Sequence, residues 1–173
     1  MTHNSLTIKP LAFEQFKLMV DYFLSADESY LTALGIDKQL LPDKQAWLDS
    51  ISKELAKPLE ARSSYHLGWF YDDQVIGHAR LTDIHPGNCG NIHFHIWYPN
   101  YRHKGLGLEL LTQSINHYCQ TFDLNKLISE PVVNNEPPNK LLRQSGFTFV
   151  EQLNKQPHPI CFEVDVNRYE YDC

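Results

Sequence analysis

The stretch from His93 to Gly107 reads HFHIWYPNYRHKGLG and constrains the fold more than any other segment. Aromatic and β-branched residues in its first half are typical of a β-strand, which the proline at position 99 ends. Its second half is a basic run followed by Gly-Leu-Gly, and the apolar residues of 108–122 then recur at helical spacing. The segment therefore predicts a strand, a basic loop and the start of an amphipathic helix.

The start of this helix is suited to bind an anion. The first N–H groups of a helix lack intrahelical acceptors, and the helix dipole is positive there. Gly105 and Gly107 have no Cβ, so an anion can approach the backbone, and Arg102 and Lys104 add positive charge. We therefore predict that a pyrophosphate or similar anion binds here. The alternative is a helix start whose glycines serve packing alone.

Two common phosphate-binding motifs do not fit the loop. A dinucleotide fingerprint needs a third glycine at position 110, which is Leu110. A P-loop needs Gly-Lys-Ser/Thr, whereas Gly107 is followed by Leu108 and Glu109. The anion therefore belongs to another class of ligand.

The periodicity of the whole chain predicts one mixed domain, residues 1–173. The predicted order is strand, two helices, three strands, helix, strand, helix and two strands. Strands are expected at 91–98, 126–133 and 160–169, with a hairpin turn at Asp72-Asp73, and Asp43 is expected to cap the second helix. The predicted fold class is α/β (α+β), a largely antiparallel sheet with helices packed on it.

Charge and hydropathy exclude several function classes. A net charge of −6 argues against a general nucleic-acid binder, which needs a basic face. No apolar run approaches the roughly 18 residues of a membrane span, and the N-terminal MTHNSLTIKP has no apolar signal core. We expect a cytoplasmic protein without nucleic-acid or membrane partners. Length and charge do not decide between monomer and homodimer.

The cysteines give no sign of a disulfide framework or a zinc site. Cys89, Cys119, Cys161 and Cys173 form no Cys-x-x-Cys pair. We therefore expect four reduced thiols.

Two motifs resemble the GNAT N-acetyltransferase superfamily, which binds acetyl-CoA. Residues 101–107, YRHKGLG, are similar to its (Q/R)-x-x-G-x-(G/A) loop. Residues 130–147 are similar to the (D/E)-P-x-x-x-N…G-F segment of the branch that contains aminoglycoside and ribosomal-protein N-acetyltransferases. Pro131, Asn135 and Gly146 fall at the matching positions of this second motif.

The resemblance implies acetyl-CoA as co-substrate and a place for it. Helices would cover both faces of the sheet, and the strands at 91–98 and 126–133 would run parallel and splay apart around the pantetheine arm. The pyrophosphate would lie on the N–H groups of the loop. The implied cofactor-binding residues are Ile96, Trp97, Tyr98, Arg102, His103, Lys104, Gly105, Leu106, Gly107, Leu108 and Asn135.

Acetyl transfer to an amine needs a proton acceptor and a donor that polarises the thioester carbonyl. We expect the backbone N–H of Trp97 to be that donor. His93 and His95 are the candidate bases, because imidazole titrates near neutral pH and both share one strand face with Trp97. Their alternative is a structural role.

Other proton acceptors compete with the two histidines. Glu130 is a rival base, with a helix cap or a salt bridge as its alternative role. Asp83 and His85 are weaker rivals, and a base relayed by water is also compatible with the sequence. His93 and His95 could instead share a metal with His78, His85 or Glu130, but no metal-site spacing supports this and no metal is predicted.

The general acid has no candidate. The related branch often has a tyrosine four residues before the Gly-Phe pair, and here that residue is Leu142. A serine common near the start of the same helix is replaced by Pro138. The proton for the leaving thiolate must come from another group or from solvent.

The acceptor is the least constrained partner. By the resemblance, Asp27, Glu28 and Tyr30 lie on the acceptor side, where acidic groups would attract a cationic amine; a solvated loop is the alternative. Trp69 and Trp97 could line a pocket or belong to the core.

The predicted function is acetyl transfer from acetyl-CoA to a primary amine of a small molecule, an amino sugar or a peptide, by direct attack in a ternary complex. The alternatives are a CoA-binding regulatory or interaction domain with weak or no catalysis, and a histidine-metal hydrolase. Turnover of an amine panel separates the first two, and sensitivity to chelators reveals the third.

Overall fold

The computed structural model describes residues 5–173, and the strands of that part form one sheet. The strands are β1 Leu6–Pro10, β2 Ser64–Tyr71, β3 Gln74–His85, β4 Cys89–Ile96, β5 Lys126–Ser129, β6 Thr148–Lys155 and β7 Val164–Asp172. The helices are α1 Phe13–Ser25, α2 Glu28–Ala33, α3 Lys44–Leu55, α4 Leu106–Thr121 and α5 Glu136–Gln144. The sheet order is β1-β2-β3-β4-β5-β7-β6.

The first four residues lie outside the described part. The predicted domain 1–173 and the N-terminal segment MTHNSLTIKP therefore both begin outside the described residues. Among residues 5–173, no helix has the length and apolarity that a membrane crossing needs.

Helices cover both faces of the sheet. On one face, α1 and α3 bury Phe16, Val20 and Leu48 in a core that includes Trp97. On the other face, the apolar side of α4 packs on the strands, with Leu110 and its neighbours in a second core. Because the strands bury residues on both faces, the chain has the predicted mixed architecture, and the predicted fold class is confirmed.

The sheet is antiparallel except where β4 meets β5. The parallel pairing starts at Cys89↔Lys126 and ends at Asn91↔Ile128. One further contact closes the pair, because the Ser129 hydroxyl donates to the carbonyl oxygen of Ile92 at 2.9 Å. Beyond it β5 ends at Ser129 while β4 continues to Ile96, so the predicted parallel pair is confirmed and the end of β4 has no strand partner on this side.

Short sequence motifs correctly predicted the start of one helix and the position of one turn. Asp43 caps α3, and its carboxylate accepts from the N–H of Ala46 at 2.9 Å. The turn between β2 and β3 lies at Asp72-Asp73, and Asp72 has the left-handed φ of 53° that such turns require.

Other predictions about the elements were wrong in number or bounds. Three helices, not two, follow β1, because the polar segment after α1 forms the six-residue α2. Its only buried residue is Leu31, so it has no apolar period to detect. β5 ends at Ser129 rather than at 133, shortly before Pro131, and β7 begins at Val164 rather than at 160.

The expectation of four reduced thiols was also wrong. Cys119 on α4 and Cys173 form a disulfide that joins residues 54 positions apart, while Cys89 and Cys161 are free. The N–H of Cys173 donates to the carbonyl of Asn125, which fixes the end of the described chain beside α4. Cysteine spacing could not reveal this pair, because only the folded chain brings its members together.

Candidate functional site

The N-terminus of α4 is built as an open anion site. Gly105 precedes the helix with φ of +78°, a left-handed conformation that glycine adopts without strain. A Cβ added at Gly105 would meet nothing within 4 Å, and no side chain caps the helix at this residue. His103 and Lys104 are exposed beside it. The first N–H groups of α4 are therefore available to an anion, as the sequence predicted.

Gly107 has a different role from Gly105. A Cβ at Gly107 would lie 3.2 Å from Leu141 Cδ2 and 3.8 Å from Ile96 Cδ1. The missing side chain thus lets the first turn of α4 pack closely on α5 and on the end of β4. The packing role weighed for both glycines applies to Gly107, and the conformational role applies to Gly105.

Arg102 does not point its charge at the anion site. Its Nε donates to the carbonyl oxygen of Ile96 at 2.9 Å, and an Nη donates to that of Trp97 at 3.2 Å. Its guanidinium also lies over the ring of Tyr30, 4.8 Å from the centroid. Arg102 therefore braces the end of β4 against α2, which corrects the expectation that it adds free charge to the loop.

The backbone N–H of Trp97 cannot polarise a thioester, because it donates to the carbonyl of Ile76 at 2.8 Å. That bond corrects the predicted donor. Successive N–H groups of a strand point to its two edges in turn. Because that of Trp97 points to β3, those of Phe94 and Ile96 point to the other edge, towards β5. Since β5 ends at Ser129, these two amides face the gap that opens beyond the paired part of the strands.

A cavity of about 440 Å³ lies on the α1–α3 face of the sheet and reaches this gap. Phe94, Ser129, Asn135 and Pro138 line it where β4 and β5 separate, and Trp47 and Ile51 line it from α3. We call this space the acceptor cavity. Its lining therefore comes from β4, β5 and α5 on one side and from α1 and α3 on the other.

His93 and His95 both line the acceptor cavity, as their predicted strand face requires. Three further side chains of the same face, missed as a group by sequence reasoning, are His66, His78 and Arg80. The antiparallel register places His78 beside His95 and Arg80 beside His93. The predicted hairpins contain this signal, but only a fixed register brings the five side chains together.

The imidazoles of this face are neutral. Burial, with the charge of nearby Arg80, lowers the pKa of His93 to about 3. Burial, with the charges of Arg102 and Arg80, lowers that of His95 to about 4. The Trp97 indole donates to Nδ1 of the buried His78 at 2.8 Å, so a neutral His78 carries its proton on Nε2. These low pKa values correct the expectation that His93 and His95 titrate near neutral pH: as neutral rings they can accept a proton, but they hold it weakly.

A tyrosine pair links His95 to the N-terminal helices. The Tyr22 hydroxyl lies 3.4 Å from His95 Nδ1 and 2.9 Å from the Tyr30 hydroxyl. Burial, together with Tyr30, raises the pKa of Tyr22, so its hydroxyl keeps its proton. Tyr22 therefore orients the His95 ring by hydrogen bonding.

Glu130 lines the acceptor cavity as an ion-paired carboxylate. Lys155 Nζ lies 2.7 Å from one of its oxygens, and an Arg168 nitrogen lies 3.6 Å from the other. The salt-bridge role weighed for Glu130 is therefore present in the fold. Its use as a base would require it to leave a cation.

The remaining candidates lie away from the cavity lining. Asp83 and His85 are exposed, and Asp83 accepts from the Asn91 amide at 2.8 Å. Asp27 and Glu28 are exposed at the start of α2. Trp69 is fully buried on the α4 face and donates to the Ser114 hydroxyl, which confirms its alternative as a core residue.

The wall opposite β4 is held by α5. Asn135 precedes α5 and lines the cavity, and its carbonyl accepts from the Asn139 amide at 2.7 Å. Leu142 is fully buried in the core and adds no proton donor. Within residues 5–173, no group of three or more His, Cys, Asp or Glu side chains is placed to hold a metal.

The geometry fits the ligand that the motifs imply. The amides of Phe94 and Ile96 can pair with an extended arm that itself carries amide groups. The uncapped start of α4 and the left-handed Gly105 can hold a pyrophosphate at its end. The cavity beyond supplies space for an acceptor.

Comparison with known proteins agrees with this reading. The sequence profile of the Acetyltransferase (GNAT) family matches residues 25–147. No curated protein sequence matches the chain.

Three solved structures have the same fold at low identity. The spermidine N-acetyltransferase from Vibrio cholerae in complex with CoA and spermine has a TM-score of 0.80 at 14% identity, over 96% of this chain and 95% of that chain. The ribosomal L7/L12 α-N-protein acetyltransferase RimL in complex with coenzyme A has 0.79 at 14%, over 99% and 96%. The microcin C7 self-immunity acetyltransferase MccE in complex with acetyl-CoA and AMP has 0.79 at 14%, over 99% and 94%.

The family profile covers well over half of the chain, and the fold and the α4 loop agree with it. The protein therefore belongs to the GNAT acetyltransferase family.

Proposed function

We propose that the protein transfers an acetyl group from acetyl-CoA to a primary amine, by direct attack in a ternary complex. The observation that carries this proposal is the parallel pair β4–β5, which ends at Asn91↔Ile128 and opens into the acceptor cavity. A thioester held in that gap and an amine in the cavity would meet where Ile92 and Ser129 close the strands. We also propose that residues 1–173 form one such domain.

Binding of the cofactor rests mainly on backbone. The α4 N-terminus would hold its pyrophosphate, with His103 and Lys104 at the rim, and the amides of Phe94 and Ile96 would pair with the pantetheine arm. Asn135 would contact the arm from the opposite wall. Acetyl-CoA supplies the activated acetyl group, so alignment of the amine is the chief task of the protein, and alignment can lower a barrier by about 7–11 kcal/mol.

The amine proton would be removed by a side chain that lines the acceptor cavity. His93 and His95 reach it as neutral rings, so each can accept a proton and pass it on to water. Glu130 would act only after leaving Lys155. We propose that His95, oriented by Tyr22, is the first proton acceptor, because it needs no prior rearrangement.

A second function, CoA binding with weak or no catalysis, is favoured by one observation. Leu142 is buried at the position where related enzymes often have a tyrosine, so α5 offers no proton donor there. The two functions differ in turnover and not in CoA affinity.

Calorimetric titration with acetyl-CoA, beside NADH and ATP, tests the cofactor first. Selective binding of acetyl-CoA, followed by thiol release with an amine panel, is the expected result. A folded protein that does not bind acetyl-CoA would contradict the proposal, and binding without turnover would favour the second function.

The cytoplasmic location stays a prediction. The redox state of Cys119 and Cys173 in the native protein tests it, because stable disulfides are rare in reducing compartments.

A further inference from the structure

The acceptor cavity has an unbalanced positive charge. Its charged lining residues are Glu54, Arg80 and Glu130, since the lining histidines are neutral. Glu130 is paired with Lys155 and Arg168. Glu54 is paired with Lys57 at 2.6 Å and accepts hydrogen bonds from Ser63 and from the N–H of Ser64. Both carboxylates of the lining are therefore satisfied within the protein.

Arg80 has no such partner. Its Nε is shielded from solvent and makes no hydrogen bond, and within the described chain no carboxylate lies within ion-pair distance of its guanidinium. Asp83 and Glu54 stabilise its charge only from further away. Buried charges in proteins are normally paired, because an uncompensated one is costly. The Arg80 guanidinium is therefore available to bind an anionic group that enters the cavity.

Arg80 lies close to the proposed reacting centre, the point where β4 and β5 separate. Arg80 lies directly across from His93 in the β3–β4 register. His93 is adjacent to Ile92, whose carbonyl marks the point where β4 and β5 part. Neighbouring strands are about 4.8 Å apart. An anion on Arg80 would thus lie within a few bonds of an amine placed at the gap.

We propose that the acceptor is an amine that carries an oxyanion, a carboxylate or a phosphate, within a few bonds of the reacting nitrogen, and that Arg80 binds this oxyanion. The guanidinium suits either group, because its planar donors match two oxygens at once. This inference rests on the proposed acetyl transfer and narrows its acceptor. It also departs from the sequence-based expectation of a cationic amine, because Asp27 and Glu28 lie exposed outside the cavity lining.

Matched acceptors test the proposal. Acetylation rates of β-alanine and its carboxamide are compared, as are those of O-phosphoethanolamine and ethanolamine, with spermidine as a polycation. We expect kcat/KM for one anionic member to exceed that of its neutral partner by about 10- to 100-fold, the range of a hydrogen bond to a charged group. Whichever pair shows the difference identifies the oxyanion as carboxylate or phosphate.

Variants assign the preference to Arg80. Arg80→Gln should abolish it and leave the Kd of acetyl-CoA unchanged, and Arg80→Lys should retain part of it. Lys53→Gln, which removes the same charge from the exposed side of α3, should change neither quantity. Calorimetry with N-acetyl-β-alanine and N-acetyl-phosphoethanolamine adds a readout independent of turnover, and one of them should lose at least 10-fold in affinity in Arg80→Gln.

Three results would overturn the proposal: neutral members acetylated as well as anionic ones, spermidine preferred, or equal affinity of both products for the native protein and Arg80→Gln. A failure of the proposed function looks different, because the protein would then either not bind acetyl-CoA or bind it without releasing thiol with any acceptor of the panel, charged or neutral.

Discussion

The backbone N–H of Trp97 donates to the carbonyl of Ile76 at 2.8 Å, and this bond decides which edge of β4 faces the gap. Residues of the same parity as Trp97 bond to β3, so Phe94 and Ile96 are left to the other side. The side chains alternate between the two faces: His93 and His95 point into the acceptor cavity, while Phe94 and Ile96 pack on the α4 core, with Phe94 reaching the cavity at the gap. In the proposed complex, β4 would thus offer its backbone to the cofactor and alternate side chains to the acceptor.

Hydrogen exchange tests this assignment of amides. The N–H groups of His95 and Trp97 should exchange slowly in the free protein, because both pair with β3. Those of Phe94 and Ile96 should exchange quickly and become protected, by at least about 10-fold, on addition of acetyl-CoA. Protection of Trp97 that appears only with acetyl-CoA would restore it as the cofactor's donor.

Arg102 and Lys104 should respond differently to loss of charge. Arg102→Gln removes two bonds from a cation to the carbonyls of Ile96 and Trp97, so we expect the free energy of unfolding to fall by about 1.5–3 kcal/mol. Lys104→Gln should leave stability unchanged and weaken acetyl-CoA binding, because Lys104 is exposed beside the α4 start. Urea titration and calorimetry measure the two quantities. The reverse pattern would return Arg102 to the anion site.

Gly105 and Gly107 should separate binding from packing. Gly105→Val forces a β-branched residue into a left-handed conformation and should weaken acetyl-CoA binding by about 10-fold or more, at a cost of about 1–2 kcal/mol in stability. Gly105→Asn is the control, because asparagine tolerates this conformation. Gly107→Val should instead lower stability by about 1–3 kcal/mol by crowding Leu141. Thermal unfolding and calorimetry distinguish these outcomes.

The neutral histidines predict how stability depends on pH. In the fold the pKa is about 3 for His93 and about 4 for His95, below the value near 6.5 of an unfolded chain. Between about pH 4 and 6.5 the unfolded state therefore binds more protons than the native state. Their contribution should be complete above pH 6.5 and be lost as the pH falls towards 4. Denaturant midpoints across this range should show that slope, and His95→Gln should make it shallower, because His93 and the other buried histidines still contribute.

His95→Gln, together with His93→Gln, also tests which group accepts the amine proton. If His95 takes the amine proton, His95→Gln should reduce kcat by about 10²-fold or more while the Kd of acetyl-CoA stays unchanged. Normal turnover by folded His93→Gln and His95→Gln at every pH would exclude a histidine base and favour relay through water.

The Cys119–Cys173 bond should contribute measurably to stability. By chain entropy, closing the loop between residues 54 positions apart is worth on the order of 4 kcal/mol. Cys173→Ser should lower the thermal midpoint, and reduction should lower that of the native protein alone. Cys161→Ser, which removes a free thiol, is the control. Equal midpoints for the native protein and Cys173→Ser would show that the bond does not form in solution.

The sequence predicted what depends on neighbours along the chain. Asp43 as a helix cap, Gly105 before α4 and the shared face of His93 and His95 all follow from local conformation or strand parity. The parallel strands came from the family resemblance, because motifs carry topology that periodicity alone does not.

What the sequence could not give depends on partners distant in the chain. Arg102 looks like a free cation until α2, far earlier in the chain, brings the ring of Tyr30 to it and its own loop turns back onto the nearby carbonyls of Ile96 and Trp97. The disulfide needs α4 and the end of β7 side by side. Arg80 became a candidate only because the register placed it in the cavity and left it unpaired.

The divergence of β4 and β5 creates a strand edge in the interior of a sheet. Exposed edges usually invite another chain, and proteins protect them with charge, twist or cover. Here the first turn of α4 packs on Leu141 of α5 and on Ile96, so helices cover the edge where β4 ends. Recognition by such an edge depends on the course of the main chain and hardly on side-chain identity. Sequences can therefore drift far apart while the edge, and whatever docks on it, is retained.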